Sequence, residues 1–317
     1  MERLSPSPEV VVLGCAGVDT NVFLPGRDVD WGVEANFTEN LDTPGQAGVY
    51  ASRGYAALGR RVAFIGNLGE DACGAMVREA FSRDGVDVRG VFTDPAGTAR
   101  SVNVMYPDGH RKNFYDARGN SGLRPDSACC RDVMADAKLA HVHLADWARH
   151  LLPMARELGL VVACDLQDVV DPEDPYRQDF IRESDILFFS AANHADPAPL
   201  IRRFLRDRPE RIVVSGMGAK GCALGTRKGI QYFPPEPSDL PLIDTNGAGD
   251  SLAVGFLTSH VLEGRCLNES IRRGQLSARN CCSLRGTSEG LISARALDML
   301  AQASAPWDPP TLETEVG

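Results

Sequence analysis

Short apolar runs recur along the chain, and each ends at or just before a glycine or a polar residue. The first run, residues 10–14, reads VVVLG. Nearly continuous apolar strands of this length are typical of parallel sheets that are covered on both faces. We therefore expect buried strands here and at the similar runs 62–66, 139–142, 160–165, 185–189 and 211–216.

Segments with a helical pattern separate several of these predicted strands. The alternation of strand and helix is the signature of a doubly wound α/β fold, in which helices flank a mostly parallel central sheet. The chain is therefore predicted to adopt this fold. The predicted helices occupy residues 45–58, 74–84, 148–158 and 197–206.

Two segments, 20–44 and 98–118, interrupt the alternation. They contain alternating or irregular stretches with aromatic and turn residues and no long helix. In the second, two β-like stretches flank Pro107-Asp108-Gly109-His110, and Asp-Gly is a strong hairpin-turn signal. We expect the two segments to form a small antiparallel β-layer over one edge of the main sheet; long ordered loops are the alternative.

These patterns predict a division of the chain into three parts. Residues 1–19, 45–97 and 119–303 form the α/β domain, and residues 20–44 and 98–118 form the β-layer. The end of the chain, 304–317, contains three prolines and no periodicity, so we expect a loosely held tail.

Charge and hydropathy narrow the class of protein. The 317 residues include 33 basic and 43 acidic side chains, a formal net charge of −10. Nucleic-acid binding needs a basic surface, so this balance argues against it. No apolar run approaches the roughly 20 residues needed to span a bilayer, and the polar N-terminus lacks a signal peptide's apolar stretch. We expect a cytoplasmic protein without a membrane or nucleic-acid partner.

The stretch DTNGAGD, residues 244–250, contains the strongest candidate chemistry, and an apolar helical segment follows it. Gly247, Ala248 and Gly249 are small enough to let backbone N–H groups approach a ligand. They would lie at the helix N-terminus, where unpaired N–H groups and the helix dipole favour negative charge. An anion-binding site is therefore predicted here.

Asp250 is unexpected beside an anion site, because a carboxylate repels phosphate. Accepting the proton of an attacking hydroxyl would explain it, since phosphoryl transfer needs a positioned base more than covalent chemistry. The alternative is that Asp250 caps the N-terminus of the helix.

The stretch resembles the C-terminal signature of the ribokinase-like (PfkB) carbohydrate kinases, with the D-T-x-G-A-G-D core and a small residue at Gly255. The resemblance implies an ATP-dependent phosphotransferase that acts on an alcohol group of a sugar or sugar-like molecule, with Mg²⁺ bridging the nucleotide phosphates. It implies that Asp250 is the catalytic base and that the N–H groups of residues 247–250 form the anion hole for the γ-phosphate.

Further matches extend over most of the chain. Residues 11–19 resemble the family's first strand, which implies that Asp19 binds substrate hydroxyls. Residues 66–74 resemble the family's G-x-x-G-x-D-x-x-G stretch. The β-layer resembles the family's lid, which covers the sugar and often pairs two subunits, so a homodimer is expected. The resemblance also allows a monovalent cation such as K⁺ near Asp244.

The nucleotide side of the site is similar to the family in two places. Residues 215–221 resemble the turn that lines the nucleotide phosphates, and Asn280 falls where the family borders the adenine pocket. The residues implied to bind ATP are Ser215, Gly216, Gly218, Lys220, Gly221 and Asn280.

The acceptor side departs from the family pattern. In the G-G-x-x-x-N motif Gly45 is kept, but Gln46 replaces a glycine and Tyr50 replaces the asparagine. Residues 190–193 lack the carboxylate of the N-x-x-E motif, and the D-x-N element ends in Gln167. These changes predict an unusual substrate, weakened magnesium handling or lost activity. The candidate acceptor-binding residues are Asp19, Gly45, Gln46, Tyr50 and Arg118.

Several alternatives stay open. Tyr50 could stack on a base in a nucleoside kinase, and the missing carboxylate could mean a non-catalytic sugar or nucleotide sensor. A nicotinamide-dependent dehydrogenase is disfavoured because no G-x-G-x-x-G follows the first strand. Other polar side chains have two roles open to them. Arg111, Lys112 and Arg118 could reach an anionic group of the substrate or be solvated edge charges. His141 and His143 could form a metal pair or be core and surface histidines, and Asp165, at the expected ligand-binding edge of the sheet, could have a site role or a structural one.

Overall fold

The structure is a computed structural model, and it describes residues 7–107, 109, 111–119, 122–191, 193–286, 288–303 and 312–313. Asp108 and His110 of the predicted hairpin turn lie outside the described residues. So does most of the predicted tail, at 304–311 and 314–317. None of the described helices is long and apolar enough to cross a membrane.

The strands belong to two sheets. In chain order they are β1 (Val10–Leu13), β2 (Gly17–Phe23), β3 (Glu39–Gly45), β4 (Val62–Leu68), β5 (Asp87–Thr93), β6 (Ala99–Met105), β7 (Arg111–Asp116), β8 (Leu139–His143), β9 (Val161–Asp168), β10 (Ile186–Ser190), β11 (Ile212–Gly216), β12 (Cys222–Thr226), β13 (Gly229–Phe233) and β14 (Leu312–Glu313).

The larger sheet has ten strands in the order β14-β13-β12-β11-β10-β9-β8-β1-β4-β5. Every neighbouring pair from β11 to β5 is parallel, and β12, β13 and β14 add an antiparallel edge. All of the strands expected from apolar runs lie in the parallel part. The prediction of a doubly wound, mostly parallel sheet is confirmed.

Helices cover both faces of this sheet. They are α1 (Ala47–Ala57), α2 (Ala72–Asp84), α3 (Ser127–Met134), α4 (Leu152–Glu157), α5 (Gln178–Glu183), α6 (Ala198–Asp207), α7 (Ala248–Leu257), α8 (Leu267–Cys281) and α9 (Ala294–Ala303). The predicted helix at 148–158 forms as a 3₁₀ turn, Asp146–Leu151, followed by α4.

Strand β1 shows how the two faces are filled. Its alternate residues Val11 and Leu13 belong to one apolar cluster, and Val10 and Val12 belong to the other. Successive side chains of a strand point to opposite faces, so a strand buried on both faces is apolar at every position. This is why the run reads as continuous in the sequence.

Local signals fix the ends of α2. The Asp71 carboxylate accepts a hydrogen bond from the N–H of Gly74 at 2.8 Å, and Gly85 ends the helix with a left-handed φ of 71°. These are common N-cap and C-cap arrangements. Asp71 also accepts from the N–H of Thr98 at 2.8 Å, which fastens the start of α2 to the segment that leads into β6.

The smaller sheet, which we call the lid, has the order β3-β2-β6-β7. Its outer pairs are antiparallel, but β2 and β6 are parallel, so the expectation of an antiparallel layer is wrong for the central pair. The reason is that β2 follows β1 and β6 follows β5. Because β1 and β5 run in the same direction in the main sheet, the chain enters the lid twice in that direction.

Candidate active site

Helix α7 begins one turn before the apolar segment, and this determines where Asp250 lies. Gly247 is the capping residue, with a left-handed φ of 68°, and Asp250 is the third residue of the helix. The alternative that Asp250 itself is the N-cap is therefore wrong. The Asp250 side chain is 14% exposed, and its Oδ1 accepts no hydrogen bond from the described residues.

Two strand ends bring polar side chains next to Asp250. In the pairing of β8 with β9, His143 lies opposite Asp165. The Nδ1 of His143 is 3.9 Å from the Oδ1 of Asp250. Ligand atoms of His143, Asp165 and Asp250 all lie within 4.8 Å of one another. The adjacent His141 contacts the Tyr55 hydroxyl instead, at 3.1 Å.

Burial determines the protonation of this group. Burial and the charge of Asp165 raise the pKa of Asp250 well above its usual value. Burial also raises the pKa of Asp165. The pKa of His143 falls to about 3 through burial, so His143 is a neutral imidazole at physiological pH. A carboxylate with a raised pKa beside a neutral histidine suits a general base.

Asp19, on β2, is also buried, with 4% of its surface exposed. Its Oδ2 accepts a 2.6 Å hydrogen bond from the Tyr50 hydroxyl, and its Oδ1 accepts a 2.7 Å hydrogen bond from Nε2 of Gln46. Burial raises the pKa of Asp19, and the hydrogen bond from Tyr50 opposes that shift. A Cβ at position 45 would lie 2.3 Å from Asp19 Cγ, so only glycine fits there.

A cavity of about 450 Å³ opens between the lid and the carboxyl ends of the main strands. Gln46 and Arg118 line it, together with His143 of the group that also contains Asp165 and Asp250. Asp19, Gly45 and Tyr50 are not among its lining residues. Further lining residues that the sequence did not single out are Asn113, Tyr115, Asp146 and Tyr176.

Tyr50 also contacts the predicted anion-binding stretch 244–250, which we call the anion loop. The left-handed Gly247 packs against the Tyr50 ring, and a Cβ at position 247 would lie 3.1 Å from that ring. The ring and the hydroxyl of Tyr50 therefore connect the Gly247 turn with Asp19. Stacking on a nucleoside base, one of the roles considered for Tyr50, would need an accessible ring, but only 6% of the Tyr50 surface is exposed.

Arg111, on lid strand β7, reaches the same loop. Its Nη1 donates to Thr245 Oγ1 at 3.1 Å, and its positive charge lowers the pKa of Asp250 against the larger effect of burial. Arg111 is exposed, as are Lys112 and Arg118, but unlike a purely solvated edge charge it also donates to the 244–250 loop. Its contact depends on how the lid folds over the loop, which the sequence pattern does not report.

The residues expected to bind the nucleotide follow β11. Ser215 and Gly216 end the strand, Gly218 and Lys220 form a 3₁₀ turn, and Gly221 has a φ of 92°. A Cβ at Gly216 would lie 3.8 Å from Leu252 of α7, so this turn lies alongside the anion-loop helix. Asn280 lies near the end of α8, which packs on α7. The Nδ2 of Asn280 and the Oγ of Ser215 are both buried, and neither atom has a hydrogen-bond partner among the described residues.

Two further carboxylates could hold cations. Asp244 is fully buried, and its Oδ2 has no hydrogen-bond donor among the described residues, which fits a bound monovalent cation. Asp168, at the end of β9, accepts a hydrogen bond from Asn193. It thus supplies a carboxylate beside the stretch 190–193, from which the family carboxylate is missing; Ala192 of that stretch lies outside the described residues. The sequence signal for Asp168 was its place just past a predicted strand.

Comparison with known proteins points to one family of kinases. A family model described as "pfkB family carbohydrate kinase" matches residues 180–294. Acarbose 7(IV)-phosphotransferase of Actinoplanes sp. is 29% identical over 297 residues, which cover 93% of this chain and 98% of that protein. The chain is similar to the pfkB family of carbohydrate kinases. This similarity supports an ATP-dependent sugar kinase.

Other kinases align over similar lengths. ATP-dependent ribose-1-phosphate kinase of Halopiger xanaduensis is 27% identical over 278 residues, 84% of this chain and 88% of that protein. The solved structure of a microbiome-derived acarbose kinase has 28% identity and a TM-score of 0.85, covering 93% of this chain and 99% of that one. Ribokinase of Arabidopsis thaliana, complexed with ribose and ATP, has 21% identity and a TM-score of 0.79 and shares the fold.

Proposed function

We propose that this kinase transfers the γ-phosphate of ATP to an alcohol group of a sugar or sugar-like molecule bound in the 450 Å³ cavity, which His143 lines. Asp250, whose Oδ1 is 3.9 Å from Nδ1 of His143, is the proposed base. The observation that carries the proposal is the Oδ1 of Asp250. It is buried at the N-terminus of α7, beside the left-handed Gly247, and no described residue donates to it. A hydroxyl of the acceptor would complete its hydrogen bonding.

In the proposed reaction the Asp250 carboxylate accepts the proton of the acceptor hydroxyl as its oxygen bonds to the γ-phosphorus and the bond to ADP breaks. Backbone N–H groups of residues 247–250 stabilise the charge on the transferring group, since such donors are most effective where charge develops. Arg111, held on Thr245, adds positive charge from the lid. ATP would lie along the turn at 215–221 and beside Asn280.

The carboxylate and amide oxygens of Asp168 and Asn193 are suitable donors for Mg²⁺ and its water ligands. A magnesium ion held there would neutralise phosphate charge. K⁺ would bind at the buried Asp244. The nearby Asp168 weakens the case for a non-catalytic sensor, which rested on the missing carboxylate. The contacts of Tyr50 weaken the case for a nucleoside kinase.

The names of the relatives suggest the first acceptor to test. One is named an acarbose phosphotransferase and another an acarbose kinase, so acarbose joins the panel with ribose, fructose, ribose 1-phosphate, polyols, sugar acids and adenosine. ADP release should be measured for each compound with Mg²⁺, with and without K⁺. We expect one sugar-like acceptor to stimulate ADP release far above the basal rate. Binding of a sugar by calorimetry without ADP release from any compound would instead support the sensor.

We also propose that the lid pairs two copies of the chain into a homodimer. Apolar side chains are exposed on it and on the loop between β2 and β3: Phe114 is 59% exposed, Val102 41%, Trp31 87% and Phe37 91%. Covering such a group of side chains is favourable. The cytoplasmic location and the division into domain, lid and tail stay predictions.

A further inference from the structure

Three residues around the cavity have an unusual backbone conformation. Among the described residues, the non-glycine residues with positive φ are Gln46 at 77°, Arg118 at 55° and Gln167 at 56°. All three line the cavity. Gln46 also has a ψ of 155°, a combination that is nearly restricted to glycine. Such strain persists where the side chain has a function.

The side-chain amide of Gln46 has a fixed orientation. Its Nε2 donates to Oδ1 of Asp19 at 2.7 Å and to Oγ of Ser101 at 2.7 Å. A carboxylate only accepts hydrogen bonds, so the nitrogen and not the oxygen of the amide must face Asp19. Both N–H bonds are then used, and Oε1 of this cavity-lining residue is left to accept a hydrogen bond.

Asp19 is poorly placed to bind an acceptor itself. Tyr50 and Gln46 donate to its two oxygens at 2.6 and 2.7 Å, and its side chain is buried. Direct binding of a sugar hydroxyl would require Gln46 or Tyr50 to move. The residue that stands between Asp19 and the cavity is Gln46.

We propose that Gln46, and not Asp19, binds the acceptor. Its Oε1 accepts a hydrogen bond from an acceptor hydroxyl, and Asp19, Ser101 and Tyr50 act as positioning residues that hold the amide. The strained conformation is kept because glycine, which would relieve it, would remove the binding group. This inference deepens the proposed function and rests on it.

A double-mutant cycle tests the proposal, using the compound with the lowest KM in the acceptor panel. Gln46→Met keeps the length of the side chain and covers Asp19 but has no amide. We expect it to raise the acceptor KM about 10-fold, the equivalent of one hydrogen bond to the ligand, without changing the KM for ATP. Asp19→Asn should raise the acceptor KM comparably, because the Gln46 amide loses the partner that orients it.

The double variant distinguishes the two roles of Asp19. If Asp19 acts through Gln46, Asp19→Asn changes the acceptor KM less than about twofold once Gln46 is methionine. If Asp19→Asn raises the KM by the same factor in both backgrounds, Asp19 contacts the acceptor itself and the inference is wrong. The KM for ATP and the melting temperature report whether each variant is folded.

Gln46→Gly is a second, independent variant. It relieves the strained backbone, so we expect a higher melting temperature together with a higher acceptor KM. A higher melting temperature with an unchanged acceptor KM would contradict a binding role. Measuring acceptor binding by calorimetry in the Asp250→Asn background separates the two proposals. If the effects of Gln46→Met and Asp19→Asn on the acceptor affinity are additive in this background, the role of Gln46 is wrong. If the Asp250→Asn variant still transfers phosphate, the role of Asp250 is wrong.

Discussion

At the scale of single residues, the site depends on how burial and charge change the pKa of Asp250. Burial is the larger cause of its raised pKa and the negative charge of Asp165 is the second. His143 is neutral and does not offset either effect. A raised pKa makes a stronger base, but only the ionised form can accept a proton. The rate should therefore fall as the pH falls through this raised pKa.

Replacing Asp165 tests this electrostatic coupling. Asp165→Asn removes a negative charge, which favours the ionised form of Asp250 and lowers its pKa. The acidic limb of the pH profile of kcat/KM for the acceptor should shift to lower pH. Asp165→Glu keeps the charge and should leave the limb closer to its original position. A limb that stays in place in Asp165→Asn would mean that Asp165 does not influence the base.

The sequence pointed to Asp250 but not to its surroundings. The pattern of 244–250 is local, so a single stretch predicted the anion loop and the candidate base. That His143 and Asp165 lie beside Asp250 depends on the register in which β8 pairs with β9. The position of Gln46 over Asp19 likewise depends on how β2 meets the start of α1. Contacts between distant segments cannot be read from a local pattern.

At the scale of secondary structure, the first turn of α7 packs directly against helix α1. Gly247 starts α7 in a left-handed conformation, and its backbone lies against the ring of Tyr50 from α1. The N–H groups of the anion hole are therefore positioned by a turn in which a side chain at position 247 would be strained and would crowd the Tyr50 ring. Disturbing that turn should affect both stability and phosphoryl transfer.

Gly247→Ala should lower the free energy of unfolding by about 1–2 kcal/mol, because an L-residue is strained at this φ, and should also lower kcat. Gly59→Ala is the matched control: Gly59 has a φ of 72°, and a Cβ there would meet nothing within 4 Å. It should lose similar stability but keep its kcat. Denaturant unfolding and steady-state kinetics check both effects. A normal kcat in Gly247→Ala would argue against an anion hole at this turn.

The sequence predicted the positions of the strands better than it predicted which strands pair and in which direction. Apolar runs marked six of the seven parallel strands described in the main sheet, because strands covered on both faces are apolar throughout. They missed the edge strand β5, in which only one residue is fully buried. The parallel pairing of β2 with β6 was missed because alternation within a strand does not reveal its partner. Residues 247–249 lie at the N-terminus of α7 as expected, and only the alternative that Asp250 is its N-cap was wrong.

At the scale of the whole molecule, the lid and the main sheet together enclose the cavity. Gln46 and Arg118 approach it from the lid side and His143 from the main sheet. Both faces of the main sheet are buried, whereas the lid exposes Val102 and Phe114. The proposed dimer would cover this surface and hold the lid in place.

Phe114→Glu should disrupt that dimer, because a carboxylate would be buried without a partner. Size-exclusion chromatography with light scattering should give twice the chain mass of 34.2 kDa for the wild type and a mass near 34.2 kDa for the variant. Val170→Glu is the control, since Val170 is 73% exposed but lies outside the lid. A monomeric wild type, or a variant that remains dimeric, would count against pairing through Phe114.

The most direct test of the central claim is phosphoryl transfer by Asp250→Asn. Asparagine keeps the shape of the side chain but cannot accept the proton, so transfer to the best acceptor should fall at least about 100-fold. ATP binding, measured by calorimetry on the same preparation, should stay within about twofold of the wild type, since the nucleotide-side residues are unchanged. An Asp250→Asn variant that binds ATP and still phosphorylates the acceptor at the wild-type rate would contradict the assignment of Asp250 as the base.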